Sequence, residues 1–254
     1  MLCLDHLVVN TRFDIDAARA LFEGLGFSVT PCARHTLGSL TQALVFDAHY
    51  LELIGLPRDG SPLRQEIVDS PLGPDGLVFR MDDPLACEHA LRESGLDASP
   101  PQHFSRPVEG LGEARFVTVR LAPGQLPGGR VYFCQHLTPE YVFRDAWRKH
   151  ANGVHGILGL HLLDVPLDAY ARLGPLASGF DLHSHTRTEL ERRFAPWAAQ
   201  LAQRGPRFAV ITLAARDPGL IAARAAALGL PHNHEAGRAL VWLPQFDTLL
   251  ECRA

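Results

Sequence analysis

One order of elements recurs along this chain, and the recurrence constrains the fold more than any single residue does. Residues 4–9 read as a strand, and Ile15, Ala18, Leu21 and Phe22 then recur at helical spacing behind Asp14 or Asp16 as a cap, with Gly24 to Gly26 ending the helix. Strands are expected at 27–30, 40–46 and 50–56, with 31–39 as a loop. After a proline-rich connection over 57–74 the order returns: strand 76–81, a helix led by Pro84 and stopped by Gly95, then strands 102–106, 115–121 and 130–136. Past a break over 138–152 it comes round again, with strand 157–163, a short helix 167–173, strand 208–214, an alanine-rich helix 218–228, and strands 231–235, 239–243 and 248–252. Within 177–205 the pattern is weaker; Leu190, Phe194, Trp197 and Leu201 suit a helix from about Glu189 that Pro196 interrupts, and Leu182, His183 and His185 are ambiguous. The expected fold is α+β, built from repeated β-α-β-β-β modules. Two paired modules fill residues 1–140, and a divergent unit of the same kind fills 141–254.

At 254 residues the chain can bury a large core. A formal net charge of -4 and the lack of a basic stripe give no reason to expect nucleic acid as a partner. Asp5 and His6 precede any apolar stretch long enough for a signal peptide, and no long uncharged apolar run follows, so a cytoplasmic protein that does not enter a membrane is the expectation. The five cysteines form no C-x-x-C pair, which argues against a disulfide framework or a cysteine-based metal knot. There is no G-x-S-x-G and no P-loop.

Two strands carry a metal-type ligand inside an apolar run: His6 in 4–9 and Glu52 in 50–54. Alternation puts His6 on one face with Leu4 and Val8, and Glu52 on one face with Tyr50 and Ile54. A buried carboxylate needs a cation or strong hydrogen bonds. An imidazole with a carboxylate is a partial shell for a divalent metal. Equally, His6 can be a hydrogen-bonded core histidine and Glu52 an edge carboxylate reaching solvent.

The chain resembles the vicinal oxygen chelate superfamily, in its glyoxalase-like branch. The residues that carry the likeness are Leu4-Asp5-His6-Leu7-Val8-Val9, Leu25-Gly26-Phe27, and Leu44-Val45-Phe46 before Tyr50-Leu51-Glu52-Leu53-Ile54. It continues through Phe133-Cys134-Gln135-His136 and His150-Ala151-Asn152-Gly153, and beyond that it rests on element order. The resemblance implies a cupped sheet with a divalent metal inside, held by His6 and Glu52 from the first module. The second module departs from the pattern: Gly76-Leu77 and Cys134 stand where further ligands are expected. His136 shares a strand face with Cys134 and is the expected third ligand, with His103 a weaker substitute. Glu251 with His155 or His161 can form a second pair, and His232 and His234 share a face, although a structural role is the simpler expectation for all of them. Arg34, His35, Gly38, Ser39, Thr41 and Gln42 resemble a loop that lies over the cup.

The resemblance therefore implies a metal-dependent lyase, isomerase or dioxygenase acting on a small organic molecule with vicinal oxygens, in which Glu52 alternates between ligand and catalytic base. Fe(II) suits dioxygenation, and Zn, Ni or Mn suits isomerase or lyase work. The alternative is a metal-free binding protein that sequesters a small molecule, as bleomycin-resistance proteins do. A small-molecule substrate is the expected partner, and a homodimer is a candidate assembly.

Overall fold

A computed structural model describes residues 1–201, 203 and 205–254; Ala202 and Arg204, in the stretch where the sequence pattern is weak, lie outside the described residues. The first module runs β1 (Leu4–Arg12), α1 (Ile15–Gly24), β2 (Ala33–Arg34), β3 (Leu40–Val45) and β4 (Tyr50–Gly55). A short helix α2 (Gln65–Asp69) precedes the second module, which comprises β5 (Gly73–Arg80), α3 (Pro84–Glu93), β6 (Gln102–Val108), β7 (Gly112–Arg120) and β8 (Arg130–His136). These eight strands form one sheet in the order β2-β3-β4-β1-β5-β8-β7-β6, so β1 and β5 meet antiparallel at its centre and each is flanked by the parallel last strand of its own module.

The rest of the chain builds a second sheet. β9 (Val154–Leu163) leads through a 3-10 helix at Leu167–Leu173 to β10 (Asp181–His185), then to α4 (Arg187–Arg193) and α5 (Ala198–Leu201). β11 (Arg207–Ala215), α6 (Pro218–Ala227), β12 (His232–Glu235), β13 (Arg238–Leu243) and β14 (Thr248–Arg253) complete it in the order β10-β9-β11-β14-β13-β12. The fold is α+β with repeated modules, as the periodicity predicts; the third module keeps only two strands and replaces the others with α4 and α5.

Several boundaries differ from the sequence reading. Residues 27–30 form no ladder, because Thr30 ties itself to β3 through its own backbone and hydroxyl: its N–H donates to Ala43 O (3.0 Å) and its Oγ1 accepts from Ala43 N (2.8 Å). The expected loop 31–39 contributes the two-residue edge strand β2, and the expected connection 57–74 contains α2 and the start of β5. The helix expected from Glu189 is two short helices. Thr186 starts the first through a capping box with Glu189. The ambiguous stretch with Leu182, His183 and His185 is the edge strand β10.

One core joins the two sheets. Leu7, Val9, Leu51, Leu77 and Phe79 from the first pack against Leu160, Leu162, Ile211, Leu213 and Leu250 from the second, with Phe22, Leu91 and Ile221 of α1, α3 and α6 at its margins. Each fully buried side chain of this kind contributes roughly 1.5 to 3 kcal/mol. The opposite face of the first sheet carries Val8, Ala43, Tyr50, Ile54, Phe116 and Cys134. The opposite face of the second is covered by Leu190, Phe194, Ala198 and Leu201 of α4 and α5 and the link between them. No helix among the described residues is long and apolar enough to cross a membrane.

Candidate functional site

Strict alternation along β1 would point Asp5 away from His6. The strand departs from it: pairing with β5 slips, so that Leu4 faces Phe79 and His6 faces Val78, leaving Asp5 as an extra residue. Leu4 therefore packs with Leu7 and Val9 in the intersheet core, not on the His6 face, which corrects the alternation reading. The bulge also brings Asp5 back to its neighbour. Asp5 Oδ1 accepts from His6 Nδ1 at 2.6 Å and from His136 Nε2 at 3.0 Å, and the carboxylate is fully buried. Burial pushes the Asp5 pKa up, but the charges and hydrogen bonds of His136 and His6 outweigh it and hold the carboxyl far below the usual carboxylate range.

That contact orients His6. With its Nδ1–H given to Asp5, a neutral His6 presents the lone pair of Nε2 to the other side, and the ring lies stacked on Tyr50 at 4.3 Å between centroids. Nε2 faces Glu52 Oε2 across 3.7 Å, too far for a hydrogen bond, with the Tyr132 hydroxyl 3.4 Å away. Glu52 is buried, and Thr41 Oγ1 donates to its Oε1 at 2.6 Å. Burial raises the Glu52 pKa, yet His6, His35, the Thr41 hydroxyl and Arg106 together hold it below the ordinary value, so the group is a carboxylate at neutral pH. An imidazole nitrogen and a carboxylate oxygen thus face each other across a gap. These two groups supply two of the three protein ligands that a catalytic divalent site usually takes, with the remaining positions left to a further donor and to small oxygen ligands.

The gap opens into a cavity of about 30 Å³ lined by His6, His35, Thr41, Glu52, Tyr132 and Cys134, among others. Arg64, Arg106 and Arg120 line it too. Burial pushes the Cys134 thiol well above its ordinary pKa, with the Asp5 and Glu52 charges adding to the effect. The register explains the missing half of the shell: Val78 pairs with Tyr132 as His6 pairs with Tyr50, so Val78 and Cys134 hold the places of His6 and Glu52 in the second module. Val78, rather than Gly76-Leu77, is the position that departs.

Of the sequence candidates, the structure brings His6 and Glu52 together and sets His136 apart. His136 meets the Nδ1 edge of His6 only through Asp5, whereas Glu52 faces the Nε2 edge, and His136 does not line the cavity. The three do not converge on one point. His136 belongs instead to Asp5, Cys134 and His136, the one group of three metal-type ligands among the described residues. His103 is exposed on β6. From the loop expected over the cup, His35 and Thr41 line the cavity, Ser39 bridges His35 and Arg64, Arg34 pairs outside with Asp59, and Gln42 is buried with no side-chain partner. Sequence reasoning missed Asp5, Tyr132 and the three arginines. Asp5 was hidden by the bulge; Tyr132 had a readable signal, since Tyr132-Phe133-Cys134 repeats the pattern of Tyr50-Leu51-Glu52.

The second sheet holds a similar pair. His161 Nε2 lies 3.6 Å from Glu251 Oε2, and Thr212 donates to the same carboxylate at 2.8 Å. Here the groups are taken up. Arg238 Nε donates to Glu251 Oε1 at 2.7 Å, His185 meets His161 Nδ1 at 2.8 Å, and the Phe194 ring stands edge-on to His161 at 4.9 Å. His155 is exposed, and His234 is exposed while His232 bonds Leu230 O.

The profile of a family described as glyoxalase-like domain matches residues 4–175. Comparison with curated proteins finds no match. Among solved structures, a hypothetical protein from Staphylococcus aureus superposes with a TM-score of 0.68 at 8% identity, over 100% of this chain and 99% of its own. A triple mutant of 4-hydroxymandelate synthase from Streptomyces coelicolor superposes with a TM-score of 0.55 at 16% identity, over 99% and 92%. At these identities the likeness is one of fold.

Proposed function

Because the chain belongs to the glyoxalase-like domain family of the vicinal oxygen chelate superfamily, we propose that it is a metal-assisted enzyme, a lyase, isomerase or dioxygenase, acting on a small organic molecule with vicinal oxygens. The observation that carries this reading is the 3.7 Å gap between His6 Nε2 and Glu52 Oε2, where an imidazole nitrogen and a carboxylate oxygen face each other without a direct hydrogen bond at the mouth of a cavity. His6 and Glu52 would hold a divalent metal (Fe, Zn, Ni or Mn), which when bound polarises the substrate oxygens. The protein's own part follows from the geometry. Asp5 keeps His6 Nε2 aimed into the cavity, Thr41 holds one Glu52 oxygen and leaves Oε2 to accept a proton, and Arg106 and Arg120 favour negative charge developing on the substrate. His136 supports Asp5 from behind through Nε2; in the role of a third ligand it would use Nδ1, which has no hydrogen-bond partner among the described residues.

The test is metal content of protein purified without chelators. Near-stoichiometric metal that disappears in His6→Ala and weakens in Glu52→Gln supports the reading. A second reading, a metal-free protein that sequesters a small molecule, is favoured by Val78 and Cys134 standing in the ligand positions of the second module. Metal-free protein whose ligand binding survives His6→Ala would favour it.

A further inference from the structure

The cavity at His6 and Glu52 holds about 30 Å³, room for one or two water-sized groups. An organic molecule can place only its reacting atoms there, so its body must lie elsewhere. A cleft of about 820 Å³ adjoins the cavity and shares three of its lining residues, Arg64, Arg120 and Tyr132. That volume lies in the usual range for small-molecule sites. Pro71, Leu121, Ala122, Leu126, Val131 and Pro206 supply apolar wall.

The charges around the cleft are mostly taken. Arg130 Nε donates to Asp75 at 2.7 Å, and Arg64 donates to Glu66 at 2.8 Å and to Ser39 at 3.0 Å. Asp69 and Asp97 are exposed to solvent. Arg120 differs: its side chain only approaches Glu66, at 3.6 Å, a carboxylate already held by Arg64, and its guanidinium lies 5.9 Å from the centre of the Tyr132 ring. A guanidinium with donors to spare therefore stands at the junction of the wide cleft and the small cavity.

We propose that the cleft binds an organic monocarboxylate with an apolar body of one or two rings, its carboxylate held by Arg120 at the junction and its body along Leu121, Ala122 and Leu126. The direction in which the reacting end points rests on the functional reading given above; the cleft as a carboxylate site does not. Size selects the substrate class: the narrow end admits two oxygens, and the wide end accepts the rest.

The experiment titrates full-length protein with 3-phenylpropionate and with its neutral counterpart, 3-phenylpropionamide, by calorimetry. The acid should bind at least about tenfold more tightly than the amide. Arg120→Gln should weaken acid binding by roughly ten- to a hundredfold, the scale of a charge-assisted hydrogen bond, and weaken amide binding far less, since the amide loses only a weaker bond. Arg120→Lys should recover part of the loss, Ala122→Trp should weaken both probes by filling the cleft, and thermal melts establish that each variant is folded. Equal binding of acid and amide, acid binding unchanged by Arg120→Gln, or no acid binding at millimolar concentration overturns the proposal. His6→Ala separates the two ideas: acid binding retained in a protein that never carried metal sinks the metal-assisted reading and leaves the cleft assignment standing.

Discussion

Replacing Asp5 with Asn tests the arrangement that positions His6. The side chain is fully buried, and its Oδ1 accepts from His6 at 2.6 Å and from His136 at 3.0 Å, with Arg80 Nε 3.6 Å from Oδ2. Each charge-assisted bond contributes roughly 1.5 to 3 kcal/mol, while an amide keeps at most neutral bonds of about 1 kcal/mol and avoids the cost of burying a charge. The net loss expected for Asp5→Asn is about 2 kcal/mol at pH 7, read from urea denaturation of metal-free protein. The pH dependence supplies a second signature. The folded carboxyl is held below its ordinary value of 3.8, so the stability it contributes is fully present above that value and is lost as pH falls toward the folded pKa. By pH 3 the gap between wild type and variant should narrow by about 1 kcal/mol, and nitrogen chemical shifts should report a mixed His6 tautomer in the variant. A variant as stable as wild type at pH 7, or a gap that stays constant to pH 3, would refute the reasoning.

Three further outcomes follow from the geometry. Thr41→Val removes the hydroxyl that donates to Glu52 at 2.6 Å; stability should fall by about 1 to 2 kcal/mol in urea denaturation, and carbon-detected titration should place the Glu52 pKa higher than in wild type. Gly76→Ala would set a Cβ 2.6 Å from Val8 Cγ2 and 2.7 Å from Val8 Cβ at the centre of the first sheet, so a loss of about 1 to 3 kcal/mol is expected; an unchanged melting temperature would mean β1 and β5 are not paired in this register. Glu251→Gln should destabilise by about 2 to 3 kcal/mol at pH 7 by weakening the bonds from Arg238 and Thr212. Because hydrogen bonds hold the Glu251 carboxyl down to about 2 against burial, that contribution is present above the ordinary 4.5 and is lost as pH falls through about 2, which an acid-unfolding series would display.

Much of the architecture was legible from local chemistry. Gly24 to Gly26, Gly95 and Gly229 stop helices wherever the chain must turn back, and short apolar runs mark β4, β8, β11 and β14, because these signals depend only on a residue and its near neighbours. The same locality limited the rest. The two-residue β2, the break of the third module into α4 and α5, and the loss of a strand at 27–30 each depend on a partner distant in the chain, such as Ala43 for Thr30 or the apolar face that Phe194 covers.

The sequence by itself determined that His6 and Glu52 sit among apolar neighbours on strands of one module, since each interrupts a short apolar run within the first β-α-β-β-β unit. Only the tertiary structure decided what surrounds them. A slip of one residue between Leu4 and His6 turns Asp5 toward the imidazole, and closure of the sheet through β8 brings Tyr132 and Cys134 across from Glu52 and leaves His136 behind Asp5. Arg64 just ahead of α2, Arg106 on β6 and Arg120 on β7 are distant in sequence and line one cavity only in the folded chain. The physical reason is that a strand's pattern states which face a side chain occupies, whereas register and curvature, set by pairing between distant segments, state which atoms it meets.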